Sequence, residues 1–221
     1  MSVRPLRIAH RGMPRRVREN TLPSFEAALA AGADGIELDV HATVDGVVVV
    51  HHDPHLPGGV EIAQTPWPEL HRTARARGLE IPTLADVCAL VDGRSELFVE
   101  IKGAHIERQV ARILADRRGA SAIHSFDHAS IRRLSQIDRR LRLGLLFEDR
   151  VADVAALLAA NGARDAWPQH AIIDATLVEE THAAGGRVIA WTVNDERELD
   201  RLTTLGVDGL CTDDVSLVAA R

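Results

Sequence analysis

Residues 35–54 read GIELDVHATVDGVVVVHHDP, and the division of this stretch into strand, turn and strand sets the fold. GIELDV (35–40) has the alternation of a strand, with Glu37 and Asp39 on one face and Ile36, Leu38 and Val40 on the other. VDGV (44–47) carries the Asp-Gly signal of a two-residue hairpin. With Asp45 and Gly46 at the turn, Val44 faces Val47, and counting back along both arms places Asp39 opposite His52. Cross-strand neighbours lie about 4.5–5.5 Å apart, so the hairpin would deliver His52 to the two carboxylates. His51 would then face away, and a slip of one residue would exchange the two histidines.

Working outward, short apolar runs alternate with helical periodicity along the whole chain, the pattern of βαβ units around a parallel sheet. The runs are LRIAH (6–10), GIELDV (35–40), LFVEI (97–101), SAIHS (121–125), RLGLLF (142–147), a weaker ARDAW (163–167), RVIAWTV (187–193) and DGLCT (208–212). Amphipathic stretches such as SFEAALAAG (24–32) and DERELDRLTTLG (195–206), the latter ending on Gly206, lie between them. Eight strands with seven crossovers predict an α/β fold, a single (β/α)8 barrel over residues 1–221. A doubly wound open sheet is the alternative, kept alive by the weak sixth strand. Pro57 to Pro82, with Gly58, Gly59, Pro66 and Pro68, breaks the rhythm and is expected to form an excursion above the barrel mouth after strand 2 and its hairpin.

Bulk properties exclude several functions. The chain of 221 residues is 46% hydrophobic and 26% charged, with a formal net charge of -6, the balance of a globular protein. The arginines are scattered among acids and form no basic stripe, so nucleic acid is not an expected partner. No signal-peptide pattern opens the chain and no 18-residue apolar run suggests a membrane span, so a cytoplasmic location is expected. Cys88 and Cys211 lie far apart and are read as free thiols. Oligomeric state is not readable.

In a barrel the chemistry gathers at the C-terminal ends of the strands. The first strand closes on His10-Arg11-Gly12, the second carries Glu37 and Asp39, and the third carries Glu100 and Lys102. If these side chains face the interior, three carboxylates converge, and like charges so close are held together by a cation. Oxygen ligands suit a hard divalent ion, Mg²⁺ or Ca²⁺. His10 and His52 would flank that site as an acid–base pair, with the roles of the two unassigned. Arg11 and Lys102 can hold a phosphate or pair with the carboxylates. Trp191 can pack against substrate or fill the core, and His124 is open between substrate contact and core filler. His71, His105 and His182 read as exposed.

At these residues the chain resembles the glycerophosphodiester phosphodiesterase family over nearly its whole length. AHRG (9–12) with ENT (19–21), GIELDVHATVDGVVVVHHDP (35–54) and VEIK (99–102) are similar to the family's opening blocks, and SFD (125–127), WTVN (191–194) and GVDGLCTD (206–213) to its closing ones. The resemblance implies a barrel, a divalent metal on Glu37, Asp39 and Glu100, and His10 and His52 as the acid–base pair. It implies hydrolysis of a small glycerophosphodiester to glycerol 3-phosphate and an alcohol, by a route that can pass through a cyclic intermediate. Glu19 and Asn20 match its pattern as residues orienting Arg11 or His10, although Asn20 or Thr21 can equally cap the first helix, with Pro23 in its first turn. Asp213 is expected to close the last strand structurally. The segment after Asp53, PHLPGGVEIAQTPWPEL (54–70), departs from the family. Rival readings are a lysophospholipase D-type enzyme, a catalytically silent binding barrel, and a metal-independent phosphoinositide-type lyase that chelation would distinguish.

Overall fold

The computed structural model describes residues 4–218. Its strands are β1 (Leu6–Ala9), β2 (Gly35–Ala42), β3 (Val48–Val50), β4 (His55–Leu56), β5 (Val60–Glu61), β6 (Glu96–Ile101), β7 (Ser121–Ser125), β8 (Arg142–Phe147), β9 (Asp165–Pro168), β10 (Arg187–Ala190) and β11 (Gly209–Thr212). The helices are α1 (Leu22–Ala30), α2 (Trp67–Ala76), α3 (Leu84–Val91), α4 (Glu107–Ala115), α5 (His128–Ile137), α6 (Val154–Asn161), α7 (Ala175–Ala183) and α8 (Glu196–Leu205). Strand order runs β1-β11-β10-β9-β8-β7-β6-β2, and β1 pairs with β2 as well as β11, so the parallel sheet closes on itself. Closure excludes the open-sheet alternative. The weak sixth strand is real: β9 is paired on both sides, to β8 and β10.

Two apolar layers explain the alternation along the strands. Ile36, Leu38, Val40, Leu97, Val99 and Ile101 pack outward with the helices in the main core. Ile8, Phe98, Ala122, Leu146, Trp167, Ile189 and Cys211 fill the barrel interior. Glu37 and Asp39 alternate with the outward residues of β2, which turns them inward.

The hairpin differs from expectation. β2 pairs β3 with Val40 opposite Val50 and Ala42 opposite Val48. The loop is one residue longer than the two-residue turn: Thr43 N donates to Val47 O at 3.0 Å and Gly46 N to Thr43 O at 2.9 Å. Gly46 sits at φ +85, the left-handed position a three-residue loop requires, and the Thr43 hydroxyl accepts from Val47 N at 3.0 Å. The register is therefore slipped by one, and His51 N, not His52, donates to Asp39 O at 3.0 Å.

The excursion follows the hairpin as expected and carries a small core of its own. Val49, Leu56, Ile62, Leu70, Ala74 and Ile81 make up that core, so the segment packs on β3. None of residues 54–82 lines the cavity described below.

Candidate active site

A cavity of about 240 Å³ opens at the C-terminal ends of the strands, lined in part by His10, Arg11, Glu37, His52, Glu100, Lys102 and His124. A cavity of similar size, about 260 Å³, lies between the segment before β1 and α8. Its lining has no histidine, and only Asp200 among it is acidic.

The loop after β1 is wound tightly into place. His10 N donates to Thr212 O of β11 at 2.9 Å. Arg11 and Asn20 both adopt left-handed backbone, at φ 56 and 55, a strain of the kind held at functional sites. Arg11 N reaches Glu37 Oε2 at 3.1 Å, and Asn20 N returns to Arg11 O at 3.0 Å. A Cβ on Gly12, at φ +90, would stand 2.3 Å from Ser24 Oγ, so only glycine fits. Thr21 is the residue that caps α1, accepting from Ser24 N with Pro23 in the first turn. Asn20 is thereby free to donate from Nδ2 to Asp39 Oδ2 at 2.8 Å. Glu19 pairs with Arg11 at 3.1 Å, while Asn20 meets Arg11 O through its backbone and Asp39 through its side chain.

Four acidic and basic groups share the floor. Asp39 is 0% exposed, with Arg11 Nε at 3.1 Å and Lys102 Nζ at 3.5 Å. Burial works against its charged form, but Arg11 and Lys102 outweigh it and hold its pKa below the ordinary value. Glu100, paired with Lys102 at 2.8 Å, is pushed up to about 8 by burial and then by the charge of Asp39. Lys102 is raised because Glu100 and Asp39 outweigh its burial. Strand register accounts for the convergence: Asp39 pairs with Glu100 between β2 and β6, and Glu100 with His124 between β6 and β7.

The two imidazoles are each fixed by a carboxylate. His10 Nδ1 donates to Asp213 Oδ1 at 2.7 Å, and His52 Nδ1 to Asp53 Oδ1 at 2.8 Å. Asp213 is itself held by Asn194, whose Nδ2 donates to Oδ2 at 2.7 Å and whose Oδ1 accepts from Asp213 N at 3.0 Å. Burial opposes protonation of His10, but the Asp213 bond and the charge of Glu37 outweigh it and raise its pKa. His52 reaches the cavity from the loop beyond β3, because pairing has already ended at Val50. The sequence reading gave Asp213 a purely structural part. Its one readable signal lay in barrel closure, which matches Ala9 with Thr212 and so brings the next residues, His10 and Asp213, side by side.

The remaining wall is aromatic. Trp191 follows β10 directly, donates from Nε1 to Trp167 O at 2.9 Å, and meets Phe126 edge to face at 5.4 Å. Phe126 is 44% exposed at this rim. Behind it, His124 stacks on Trp167 with centroids 4.0 Å apart. That stack depends on Gly144, where a Cβ would lie 2.7 Å from Trp167 Cδ1. Gly144→Ala is expected to destabilise by about 1–3 kcal/mol through overpacking. It should also change the near-ultraviolet circular dichroism of the tryptophans; an unaltered spectrum and urea midpoint would contradict the wedge.

Residues 10–217 match the glycerophosphoryl diester phosphodiesterase family. A glycerophosphodiester phosphodiesterase of Caldanaerobacter subterraneus is 31% identical over 231 residues, covering 96% of this chain and 95% of the relative. The solved glycerophosphodiester phosphodiesterase of Thermotoga maritima has a TM-score of 0.81 at 26% identity, covering 96% of each chain. A phosphodiesterase of Oleispira antarctica, solved with its product sn-glycerol-3-phosphate, has a TM-score of 0.85 at 24% identity over 95% of this chain and 93% of that one, a likeness of fold.

Proposed function

This chain belongs to the glycerophosphoryl diester phosphodiesterase family, and from that premise we propose that it hydrolyses a glycerophosphodiester with His10 and His52 as acid and base and a divalent cation on Glu37, Asp39 and Glu100. It is an enzyme, a phosphodiester hydrolase, and the products of the proposed reaction are glycerol 3-phosphate and an alcohol. The observation that carries the residue assignment is the pair of carboxylate-backed imidazoles lining one cavity with the acidic floor.

The donor set fits a hard cation. Asp39 Oδ1 is buried and accepts no hydrogen bond, Lys102 standing at 3.5 Å. Glu37 and Glu100 each offer an oxygen within 4.8 Å of the other, in a cluster whose third member is His124, and Asp39 stands beside it across Lys102. A bound divalent ion, Mg²⁺ or Ca²⁺ for oxygen ligands, supplies charge for the phosphoryl oxygens and lowers the repulsion among the carboxylates.

The chain's own groups do the rest. Arg11 and Lys102 flank the phosphate position, and each is kept fully charged by its acidic neighbours. With Nδ1 committed to a carboxylate, each imidazole presents Nε2 to the substrate. One removes the proton from the attacking hydroxyl, either water or the glycerol 2-hydroxyl, whose cyclic phosphate is then opened by water with the two imidazoles exchanging roles. The other protonates the oxygen that leaves phosphorus with the alcohol. Trp191 and Phe126 offer apolar surface to the carbon skeleton of the substrate.

The test is release of glycerol 3-phosphate from glycerophosphocholine by the purified protein, with Mg²⁺ or Ca²⁺ and with excess chelator. Product is expected only with the metal and to be lost in Glu37→Ala. Full activity in chelator would move the reading to a metal-independent lyase, and no product with any metal would favour a lysophospholipid substrate or a silent barrel.

A further inference from the structure

The imidazole of His124 is 1% exposed, its Nδ1 has no hydrogen-bond partner among the described residues, and its Nε2 is the nitrogen turned toward the acidic floor. Three features bear on what that Nε2 edge is placed to hold. Nε2 stands 3.7 Å from Glu37 Oε1, beyond hydrogen-bond reach. Glu37, Glu100 and His124 each present a donor atom, all within 4.8 Å of one another. The ring lies at 7° to the Trp167 indole and is paired in register with Glu100, so its edge is fixed before anything binds.

Ligands that share one divalent ion at about 2.1–2.4 Å are separated by roughly 3–4 Å, which is the spacing of Nε2 from Glu37 Oε1. We propose that His124 is a further, nitrogen ligand to the cation held by the acidic floor, and that it shifts the site from Mg²⁺ or Ca²⁺ toward transition-metal ions. The proposal rests on the metal reading given above. Imidazole suits transition-metal ions such as Zn²⁺, Fe²⁺ and Ni²⁺, whereas carboxylate and water ligands suit Mg²⁺, Ca²⁺ and Mn²⁺; Mn²⁺ serves as the paramagnetic probe of the site. Ligation through Nε2 puts the proton on Nδ1, which has no acceptor. That missing support places the expected contribution at the lower end for a histidine ligand.

The experiment is electron spin-echo envelope modulation of the Mn²⁺-loaded protein, with Mn²⁺ affinity measured from the free-ion signal. Native protein is expected to show nitrogen coupling that disappears in His124→Asn, together with a loss of Mn²⁺ affinity of about tenfold and a Ca²⁺ affinity changed much less. His124→Gln serves if the asparagine variant does not fold. A native Mn²⁺ site without nitrogen coupling, or coupling that survives in both variants, overturns the assignment of His124 and leaves metal dependence standing. Absence of any Mn²⁺, Mg²⁺ or Ca²⁺ binding by the folded native protein overturns the metal reading and this one with it.

Discussion

His10→Ala is expected to lower kcat/KM on glycerophosphocholine by about 10³-fold, within the 10²–10⁴ range of a positioned acid–base group. The protein should stay folded, because His10 is in the polar loop after β1 and not in either apolar layer. Asp213→Asn separates geometry from charge at the same site. Asparagine keeps the size of the side chain but not the negative charge that helps raise the pKa of His10. The limb of the pH–rate profile that His10 controls should therefore move to lower pH, with kcat reduced by less than in His10→Ala and KM little changed. A merely structural Asp213 would leave that limb in place. Retention of more than about a tenth of activity in a folded His10→Ala protein is incompatible with a general acid–base role.

Much of this site could be read from the chain because a strand's two-residue period is rigid. Spacing alone puts Glu37 with Asp39 and Glu100 with Lys102 on shared faces; β2 places the first pair so, and Lys102, one residue past β6, meets Glu100 at 2.8 Å. The hairpin failed for a local reason: Val44-Asp45-Gly46 makes a three-residue loop in which the Thr43 hydroxyl replaces a ladder partner, and a propensity for Asp-Gly does not reveal that extra residue. His52 still lines the cavity, although not by the pairing that predicted it. Asp213 and His10 are 203 residues apart, and Asn194 adds a third segment. Such contacts exist only once the barrel closes, so local pattern carries no trace of them. His124 stayed ambiguous because its neighbours Trp167 and Gly144 come from two other strands.

The opposite end of the barrel yields the largest expected stability effect, and it should leave catalysis untouched. Asp165, 0% exposed at the start of β9, accepts from Arg142 at 2.7 Å and from Arg187 at 2.7 Å. Arg187 also pairs with Glu96 at 3.0 Å, and these partners outweigh its burial and raise its pKa. Removing the central carboxylate leaves two cations pointing at each other beneath the apolar interior. Breaking a buried pair from one side costs about 3–5 kcal/mol. Arg142 is partly solvated and Arg187 keeps Glu96, so the lower end applies. Asp165→Ala is thus expected to lose about 3 kcal/mol in urea unfolding, or roughly 6–12 °C in Tm, with KM and kcat at permissive temperature unchanged. Adding Arg187→Met to that variant should recover part of the loss, since the buried cation left without its main partner is the chief cost. A loss below about 1 kcal/mol would show that the network behaves as a solvent-screened surface cluster, and an equal fall in kcat would mean that the two ends of the barrel are mechanically coupled rather than divided between stability and chemistry.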